Sequence, residues 1–261
     1  MSTESPGFDP RRDVSFVVIS CDRYSDLWEP FFGCMSKYWP DCPFPVYLVT
    51  NEASYSRRGV SVINIGPDRD YANNLISAVR AVPTPWLILW VEDALITGPV
   101  DTERLVSILN EAAAAGAGYL KLTPDAPLSF DDSEGQRIGA LPKGVRYRSA
   151  IGSALYRKET LLELLVPGLS AWEMDKSARS NEMTEPFMAL TVREARWPPI
   201  PAINAVIKGR WNRPVVPFLR GEGYSAVLRG RMRLSLRSYA YIKAYLLRIA
   251  LYRMFRRHWY D

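Results

Sequence analysis

The sequence PWLILWVED, residues 85–93, decides the fold class of this chain. Six apolar residues in a row follow a Pro-Thr-Pro break, which indicates a strand buried on both faces, as in parallel sheets. Ligands of open α/β sheets bind beyond the carboxyl ends of such strands. Glu92 and Asp93 stand at that end, so we predict that they hold a divalent metal, Mg²⁺ or Mn²⁺, and through it a diphosphate. An acidic strand end that simply faces solvent is the alternative.

Segments with strand and helix patterns alternate on both sides of this stretch. We predict strands at residues 14–19, 45–50, 60–65 and 119–122, and helices at 27–38, 71–82, 102–115 and 158–165. Alternation at this spacing predicts βαβ units, and therefore an α/β fold with a mostly parallel central sheet flanked by helices. The polar residues 125–144 predict a loop or lid. We expect one domain at residues 12–215 and a basic, aromatic, helical tail at 216–261.

The composition narrows the function classes. No apolar segment resembles a secretion signal or reaches the length of a membrane span, so we expect a cytoplasmic chain. Its three cysteines form no metal-type pair and predict reduced thiols. The lone histidine, His258, argues against a histidine-ligated zinc site or a Ser-His-Asp triad in the main body. Neither a Walker A sequence nor G-x-G-x-x-G follows the first strand, which argues against an ATPase or a NAD dehydrogenase.

Several short segments occur in a characteristic order. They are ISCDRYSDLW (19–28), YWPDCPFPVY (38–47), VED (91–93), YRS with ALYRKE (147–149 and 154–159), AWEMD (171–175) and INAVIKGRW (203–211). Over about residues 14–212 this order resembles the GT-A glycosyltransferases, in particular bacterial members from polysaccharide and lipopolysaccharide gene clusters. The acid motif is Glu-Asp-Ala, where that family has Asp-x-Asp. The resemblance implies a GT-A (Rossmann-like) fold and a transferase of hexosyl or related groups that uses a nucleotide-sugar donor.

Glycosyl transfer requires a nucleotide pocket, and the first two strand ends supply candidates for it. Asp22 is predicted to accept a hydrogen bond from a base N–H or a ribose hydroxyl, and Ser20 to bond the same rim. Asn51, after the next strand, and Asn73, in the following helix, are further candidates. Asp22 as a local turn cap and Asn73 as a purely structural residue are the alternatives.

The diphosphate requires neutralising charge. Of the two acids we prefer Asp93, because neighbouring side chains on a strand point to opposite faces and only one is expected to face the cleft. Lys208 and Arg210, in a loop that contains glycine, are predicted to close over the diphosphate as cationic partners. A solvated basic loop is the alternative for these two.

The acceptor hydroxyl requires a general base. Glu173 is our choice, because it follows a tryptophan that can stack on an acceptor sugar, and Asp175 is the second candidate. A carboxylate in this role fits single displacement with inversion. The alternative is that Ser170 caps a helix and Glu173 is the acid of its capping box, since Ser-x-x-Glu fits that pattern.

The positive charge of the chain is concentrated near its C-terminus. Nine basic residues and no acidic one lie between residues 223 and 260, among Leu, Tyr, Ile, Met, Phe and Trp. Such a segment is predicted to lie on an anionic membrane surface; packing on the domain or on a partner subunit is the alternative. No module for nucleic-acid binding is recognisable, so no nucleic-acid partner is expected.

These inferences combine into one functional hypothesis. The chain is expected to be an inverting glycosyltransferase, peripheral to the inner membrane, which adds a sugar to a lipid-linked or lipopolysaccharide-type acceptor of a bacterial surface glycan. Two alternatives are a non-catalytic GT-A-like sugar- or membrane-binding module and a sugar-phosphate nucleotidyltransferase.

Overall fold

The computed structural model describes residues 7–122, 135–144, 148–176 and 178–255. Its strands are β1 Val14–Ile19, β2 Val46–Thr50, β3 Val60–Asn64, β4 Trp86–Val91, β5 Ala94–Ile96, β6 Tyr119–Lys121, β7 Ile138–Ala140, β8 Ala154–Arg157, β9 Phe187–Leu190, β10 Ala202–Asn204, β11 Val206–Ile207 and β12 Arg210–Trp211. Its helices are α1 Pro10–Asp13, α2 Trp28–Tyr38, α3 Tyr71–Ala81, α4 Thr102–Ala114, α5 Lys158–Leu164, α6 Ala171–Lys176, α7 Val192–Ala195, α8 Val215–Gly221 and α9 Leu236–Phe255.

The central sheet has the order β3-β2-β1-β4-β8-β6-β9-β7. The strands β3, β2, β1 and β4 are parallel neighbours, and β6 and β9 are parallel to each other. Only β8 and β7 pair antiparallel to their neighbours in this sheet, as far as the described residues show. The predicted fold class, α/β with a mostly parallel sheet flanked by helices, is confirmed.

Strand β4 is buried on both faces, as its apolar run predicts. Ile88 and Trp90 belong to the core beneath α2 and α4, whereas Leu87 and Leu89 belong to the core beneath α3 and α5. All four are completely buried. The Trp90 ring lies 5.6 Å from that of Phe16 on β1, which registers the two central strands through aromatic packing. This rigid centre of the sheet carries the acids at its carboxyl end.

The predicted lid only partly falls on described residues. Residues 138–140 form the edge strand β7, paired with β9, so a loop prediction there was wrong. This strand has only three residues between polar segments, so its sequence pattern does not reveal it. Residues 125–134 of the same prediction lie outside the described residues, as do residue 147 of the YRS segment and residues 256–261 of the tail.

Packing on the domain continues beyond residue 215, where we predicted the boundary. Helix α8 is held by buried valines and Leu219, and Glu222 binds Lys37 and Tyr38 of α2 at 2.7 and 2.6 Å. Trp211 exchanges backbone hydrogen bonds of 2.9 Å with Met232 and Leu234. Residues 222–234, here called the C-terminal arm, are therefore part of the folded body. Within the described residues, none of the helices is both long and apolar enough for a membrane crossing.

Candidate functional site

A cleft of about 390 Å³ opens at the carboxyl ends of β1, β2 and β4. This is the edge at which ligands bind in sheets of this kind. Its walls include Ser20, Asn51 and Glu92 from the strand ends, and Asp68, Tyr71 and Asn74 from α3 and the segment before it. Three of the residues predicted from the sequence therefore meet in one cleft.

Asp22 and Asn51 clamp the ends of β1 and β2 together. The Asp22 carboxylate accepts hydrogen bonds from the backbone N–H groups of Asn51, Glu52 and Ala53 at 3.0–3.1 Å. In return the Asn51 side-chain oxygen accepts from the Asp22 backbone N–H at 3.2 Å. This gives Asp22 a structural role at the rim, close to the turn-cap alternative, and its contact with a nucleotide stays a prediction.

Ser20 and Asn51 line the cleft directly. The Ser20 hydroxyl accepts a hydrogen bond of 2.7 Å from the indole N–H of Trp28 and donates to the backbone carbonyl of Cys21 at 3.4 Å, which fixes its position. Within the described part of the chain, the side-chain nitrogen of Asn51 forms no hydrogen bond. Asn51 can therefore offer a donor to a base or ribose oxygen.

Asn73 and Asn74, at the N-terminus of α3, have different hydrogen-bond partners. Asp70 caps this helix and accepts from the backbone N–H and the side-chain amide of Asn73 at 2.9 and 2.6 Å, which lowers the pKa of Asp70. Asn73 is therefore bound within the helix cap, which agrees with the alternative that it is a structural residue. Asn74 lines the cleft instead and donates to Asp68 at 2.5 Å. Sequence reasoning missed Asn74, although it lies one residue further along the helix.

Glu92 and Asp93, the acid pair, form a two-residue turn between β4 and β5. Strand alternation does not apply within a turn, so the argument that favoured Asp93 was unsound. The structure places Glu92 in the wall of the cleft, with 8% of its surface exposed. Asp93 lies beside β10, where its backbone carbonyl accepts from the N–H of Ala205. The turn is braced from below by the indole N–H of Trp90, which donates to Ala94 at 2.7 Å.

Burial raises the pKa values of both acids. Loss of solvent, with the charge of Asp93 nearby, raises the pKa of Glu92 to about 8. Loss of solvent also raises the pKa of Asp93 to about 6. Neither carboxylate forms an ion pair among the described residues. Buried carboxylates without a direct counter-ion are suited to a cationic ligand, since an uncompensated buried charge is costly.

The chemistry of these donors fits a hard divalent cation, which prefers carboxylate oxygens. No group of three or more histidine, cysteine or acidic side chains is arranged around one metal position in the described ranges. A cation held by Glu92 and Asp93 would therefore take its other oxygens from a bound diphosphate and from water, as Mg²⁺ commonly does.

Arg231, on the C-terminal arm, contacts a wall residue of the cleft, and sequence reasoning did not single it out. Its guanidinium makes a two-pronged ion pair with Asp26 at 2.6 and 2.8 Å, and its centre lies 4.3 Å from the ring of Tyr24, which lines the cleft. The charge of Arg231 lowers the pKa of both Glu92 and Asp93 against the effect of burial. Nothing in the sequence links residues so far apart, and Arg231 was counted only as part of the basic tail.

Lys208 and Arg210 lie on the hairpin β11–β12. Lys208 and Gly209 form its two-residue turn, both with positive φ (49° and 72°), a conformation that glycine favours and lysine adopts less easily. Both basic side chains are exposed, and neither belongs to the cleft wall given above. The hairpin starts beside Asp93 through Ala205, so closure over a diphosphate stays a prediction for both residues.

The structure distinguishes the two candidate bases on α6. Glu173 is exposed, and its carboxylate accepts from the backbone N–H and hydroxyl of Ser170 at 2.8 and 2.6 Å, which is the capping-box arrangement. Asp175 is half-buried and accepts from the backbone N–H of Ile151 at 2.8 Å. Burial raises the pKa of Asp175, while the charge of the buried Lys121 lowers it.

Asp175 and Glu92 both act electrostatically on a wall residue of the cleft. Burial raises the pKa of Tyr71, which lines the cleft, and the charges of Asp175 and Glu92 raise it further.

Comparison with known proteins gives a consistent but distant picture. No known protein-family profile and no curated protein matches the sequence. Among solved structures, the chain is similar to S. aureus TarS residues 1–349, with 11% identity, a TM-score of 0.45, and coverage of 68% of this chain and 57% of that fragment. The chain thus spans just over half of the length of that fragment.

Two further structures have comparable similarity. The mannosyltransferase PcManGT from Pyrobaculum calidifontis, in complex with GDP-Man and Mn²⁺, has 16% identity and a TM-score of 0.46, over 98% of this chain and 86% of its own. A CMP:2-keto-3-deoxy-manno-octonic acid synthetase complexed with CTP has 10% identity and a TM-score of 0.43, over 69% and 88%. Likeness of this degree leaves the activity to be argued from the site itself.

Proposed function

We propose that this chain is a nucleotide-sugar-dependent glycosyltransferase of the GT-A type, which transfers one sugar with inversion to a bacterial surface glycan. One observation carries the proposal. Glu92, a buried carboxylate in the cleft wall, and the half-buried Asp93 beside it stand at the carboxyl ends of parallel strands, and neither has an ion pair among the described residues. That combination suits a nucleoside diphosphate and the cation that accompanies it.

The donor would lie in the cleft, with its nucleoside near Ser20 and Asn51 and its diphosphate near Glu92 and Asp93. A divalent cation, when bound by these acids, would neutralise the charge that develops on the leaving diphosphate. The chain itself contributes apolar surface to the cleft, because half-buried strand ends such as Ile19 and Val91 line it.

Asp175 is the general base in this proposal, in place of Glu173. It would take the proton of an acceptor hydroxyl as the oxygen attacks the anomeric carbon on the face opposite the donor bond. A new glycosidic bond forms, the bond to the diphosphate breaks, and the nucleoside diphosphate leaves with the electron pair. The capping box that occupies Glu173 supports the choice of Asp175.

The test is the thermal stability of the full chain with UDP, GDP, dTDP or CMP, each with and without Mn²⁺. A ligand stabilises the folded state in proportion to the logarithm of its concentration over its Kd. We expect one nucleotide to raise Tm, more so with Mn²⁺, and the increment from Mn²⁺ to be lost in Glu92→Gln. A matched control is Glu163→Gln, at an exposed glutamate on α5. If no nucleotide raises Tm, a non-catalytic module replaces the transferase.

Attachment to an anionic membrane surface is part of the proposal. Helix α9 has no acidic residue, and Leu236, Tyr241, Tyr245 and Leu247 are 49–74% exposed. Basic residues between exposed apolar ones suit the interface of an anionic bilayer, where a lipid-linked acceptor would be found. Deletion of residues 236–261 keeps the C-terminal arm intact. It should abolish cosedimentation with phosphatidylglycerol vesicles, and unchanged cosedimentation would contradict the attachment.

A further inference from the structure

Tyr24, a residue of the cleft wall, is in contact with the C-terminal arm. It lies in the turn Asp22–Leu27, which follows β1, and it lines the cleft together with Cys21. Its backbone N–H donates to the carbonyl of Cys21 at 2.9 Å, and its backbone angles (φ −106°, ψ 15°) depart from those of the helical turn around it. A short irregular turn of this kind leaves the position of the ring to contacts with other segments.

Arg231 of the arm makes two contacts with this turn. Its guanidinium lies over the ring of Tyr24, 4.3 Å from the centre of the ring. It also donates two hydrogen bonds, of 2.6 and 2.8 Å, to the carboxylate of Asp26. A planar guanidinium can stack on an aromatic face and bind both oxygens of a carboxylate. One side chain of the arm therefore contacts both the ring and the carboxylate of the turn.

The guanidinium of Arg231 is itself fixed in place. Only 12% of the Arg231 side chain is exposed, and its guanidinium lies 5.9 Å from the ring of the completely buried Trp211. The backbone N–H of Trp211 donates to the carbonyl of Met232, and the N–H of Leu234 donates to the carbonyl of Trp211, both at 2.9 Å. Because the residues after Arg231 are bound to a core residue, Arg231 has little freedom to leave Tyr24.

We propose that Arg231 is a positioning residue for the cleft, which fixes the ring of Tyr24 in the cleft wall. Where it concerns nucleotide affinity, this inference rests on the proposed function. A wall that is already ordered binds a ligand more tightly, because less conformational freedom is lost on binding. The C-terminal arm then raises the affinity of the cleft for a nucleotide, although none of residues 222–234 is among the described residues that line the cleft.

Four substitutions separate this role from a general stabilising one. Arg231→Gln removes the guanidinium, and Arg233→Gln is the matched control at an exposed arginine of the same arm. Tyr24→Phe keeps the ring that the guanidinium covers, whereas Tyr24→Leu removes it. If Arg231 acts through this ring, Arg231→Gln has its full effect in the Tyr24→Phe background and little or none in the Tyr24→Leu background. A general stabilising role gives the same effect in both backgrounds.

The first measurement needs no ligand. Iodoacetamide labelling of the full chain at mildly alkaline pH, followed by mass spectrometry, reports how well the wall covers the partly exposed thiol of Cys21. Arg231→Gln should speed this labelling several-fold in the wild-type and Tyr24→Phe backgrounds but not in Tyr24→Leu, and Arg233→Gln should not change the rate. An unchanged rate in Arg231→Gln overturns the inference. Labelling of the completely buried Cys34 in Arg231→Gln also overturns it, because the body as a whole then opens.

The second measurement is calorimetric titration of the same proteins, in the presence of Mn²⁺, with the nucleotide among UDP, GDP, dTDP and CMP that raises the wild-type Tm. We expect Arg231→Gln to raise Kd several-fold in the wild-type and Tyr24→Phe backgrounds and to leave it nearly unchanged in Tyr24→Leu. An equal factor in both Tyr24 backgrounds, or an unchanged Kd in Arg231→Gln, overturns the inference. If the wild type binds none of these nucleotides but Cys21 labelling follows the expected pattern, the positioning role stands while the proposed function falls.

Discussion

Glu92→Gln should make the protein more stable at alkaline pH while leaving its stability at acidic pH nearly unchanged. Burial raises the pKa of Glu92 from 4.5 to about 8 in the folded protein. The folded state therefore binds the Glu92 proton more tightly than the unfolded state. For a carboxyl group shifted in this direction, stability is highest at low pH and is lost as pH rises from the unfolded pKa to the folded one.

The magnitude follows from the same values. At about 1.4 kcal/mol per pKa unit, ionisation of Glu92 costs about 3 kcal/mol of folding free energy between about pH 5 and pH 8. For a chain of this size, 1 kcal/mol corresponds to about 2–4 °C in Tm. The wild type should therefore lose about 6–12 °C relative to Glu92→Gln over that interval. This difference refers to protein freed of metal, because a bound cation removes the cost.

Scanning calorimetry or near-UV circular dichroism in EDTA, at several pH values, measures the two Tm curves. The informative quantity is the difference in Tm between the wild type and Glu92→Gln as pH rises, since all other titrating groups are shared. Glu163→Gln should follow the wild-type curve at every pH. If the difference in Tm between the wild type and Glu92→Gln stays constant from about pH 5 to pH 8, Glu92 does not have the raised pKa of a buried acid, and the reasoning about the site is refuted.

Three other substitutions test neighbouring parts of the account. Asp175→Asn should reduce transfer about 10²–10⁴-fold with nucleotide binding retained, and a fully active variant would remove Asp175 as the base. Glu173→Gln should keep most of the activity and nearly all of the stability, because glutamine also suits this position of a capping box; loss of activity in a folded, nucleotide-binding Glu173→Gln would make Glu173 the base again. Gly33→Ala should cost about 1–3 kcal/mol, because its new Cβ would lie 1.6 Å from the Tyr224 hydroxyl of the arm. Gly221→Ala, whose Cβ meets only open space, serves as the control in urea unfolding, and equal stabilities would mean that the arm is not packed there.

The fold was predictable because the central strands can be recognised from local sequence patterns. The apolar run of β4 and the alternation around β1, β2 and α3 need no distant contact to be recognised, and the acids at the end of β4 follow directly. Strand β7 escaped prediction because three residues on a sheet edge carry almost no pattern. The reversal of β8 depends on tertiary pairing with β4 and β6, which a linear pattern does not encode.

The site was only partly predictable, for reasons of geometry. Ser20, Asn51 and Glu92 meet because parallel strands end at one edge, which is a general rule. The alternation argument for Asp93 over Glu92 does not hold, because two residues of a tight turn do not alternate as strand residues do, and the preference itself stays a prediction. The ion pair between Arg231 and Asp26 joins residues 205 positions apart, and only the folded structure brings these residues together.

The most direct test of the central claim is the alkylation rate of Cys21, which lines the cleft and is partly exposed. Burial raises the pKa of this thiol, so labelling requires mildly alkaline pH. Iodoacetamide labelling followed by mass spectrometry gives the rate with and without each nucleoside diphosphate and Mn²⁺, and an unstructured cysteine-containing peptide in the same reaction is the control. The account predicts that one nucleotide slows Cys21 labelling several-fold and leaves labelling of the peptide unchanged. A nucleotide that raises Tm without protecting Cys21 would place the binding site elsewhere and contradict the account.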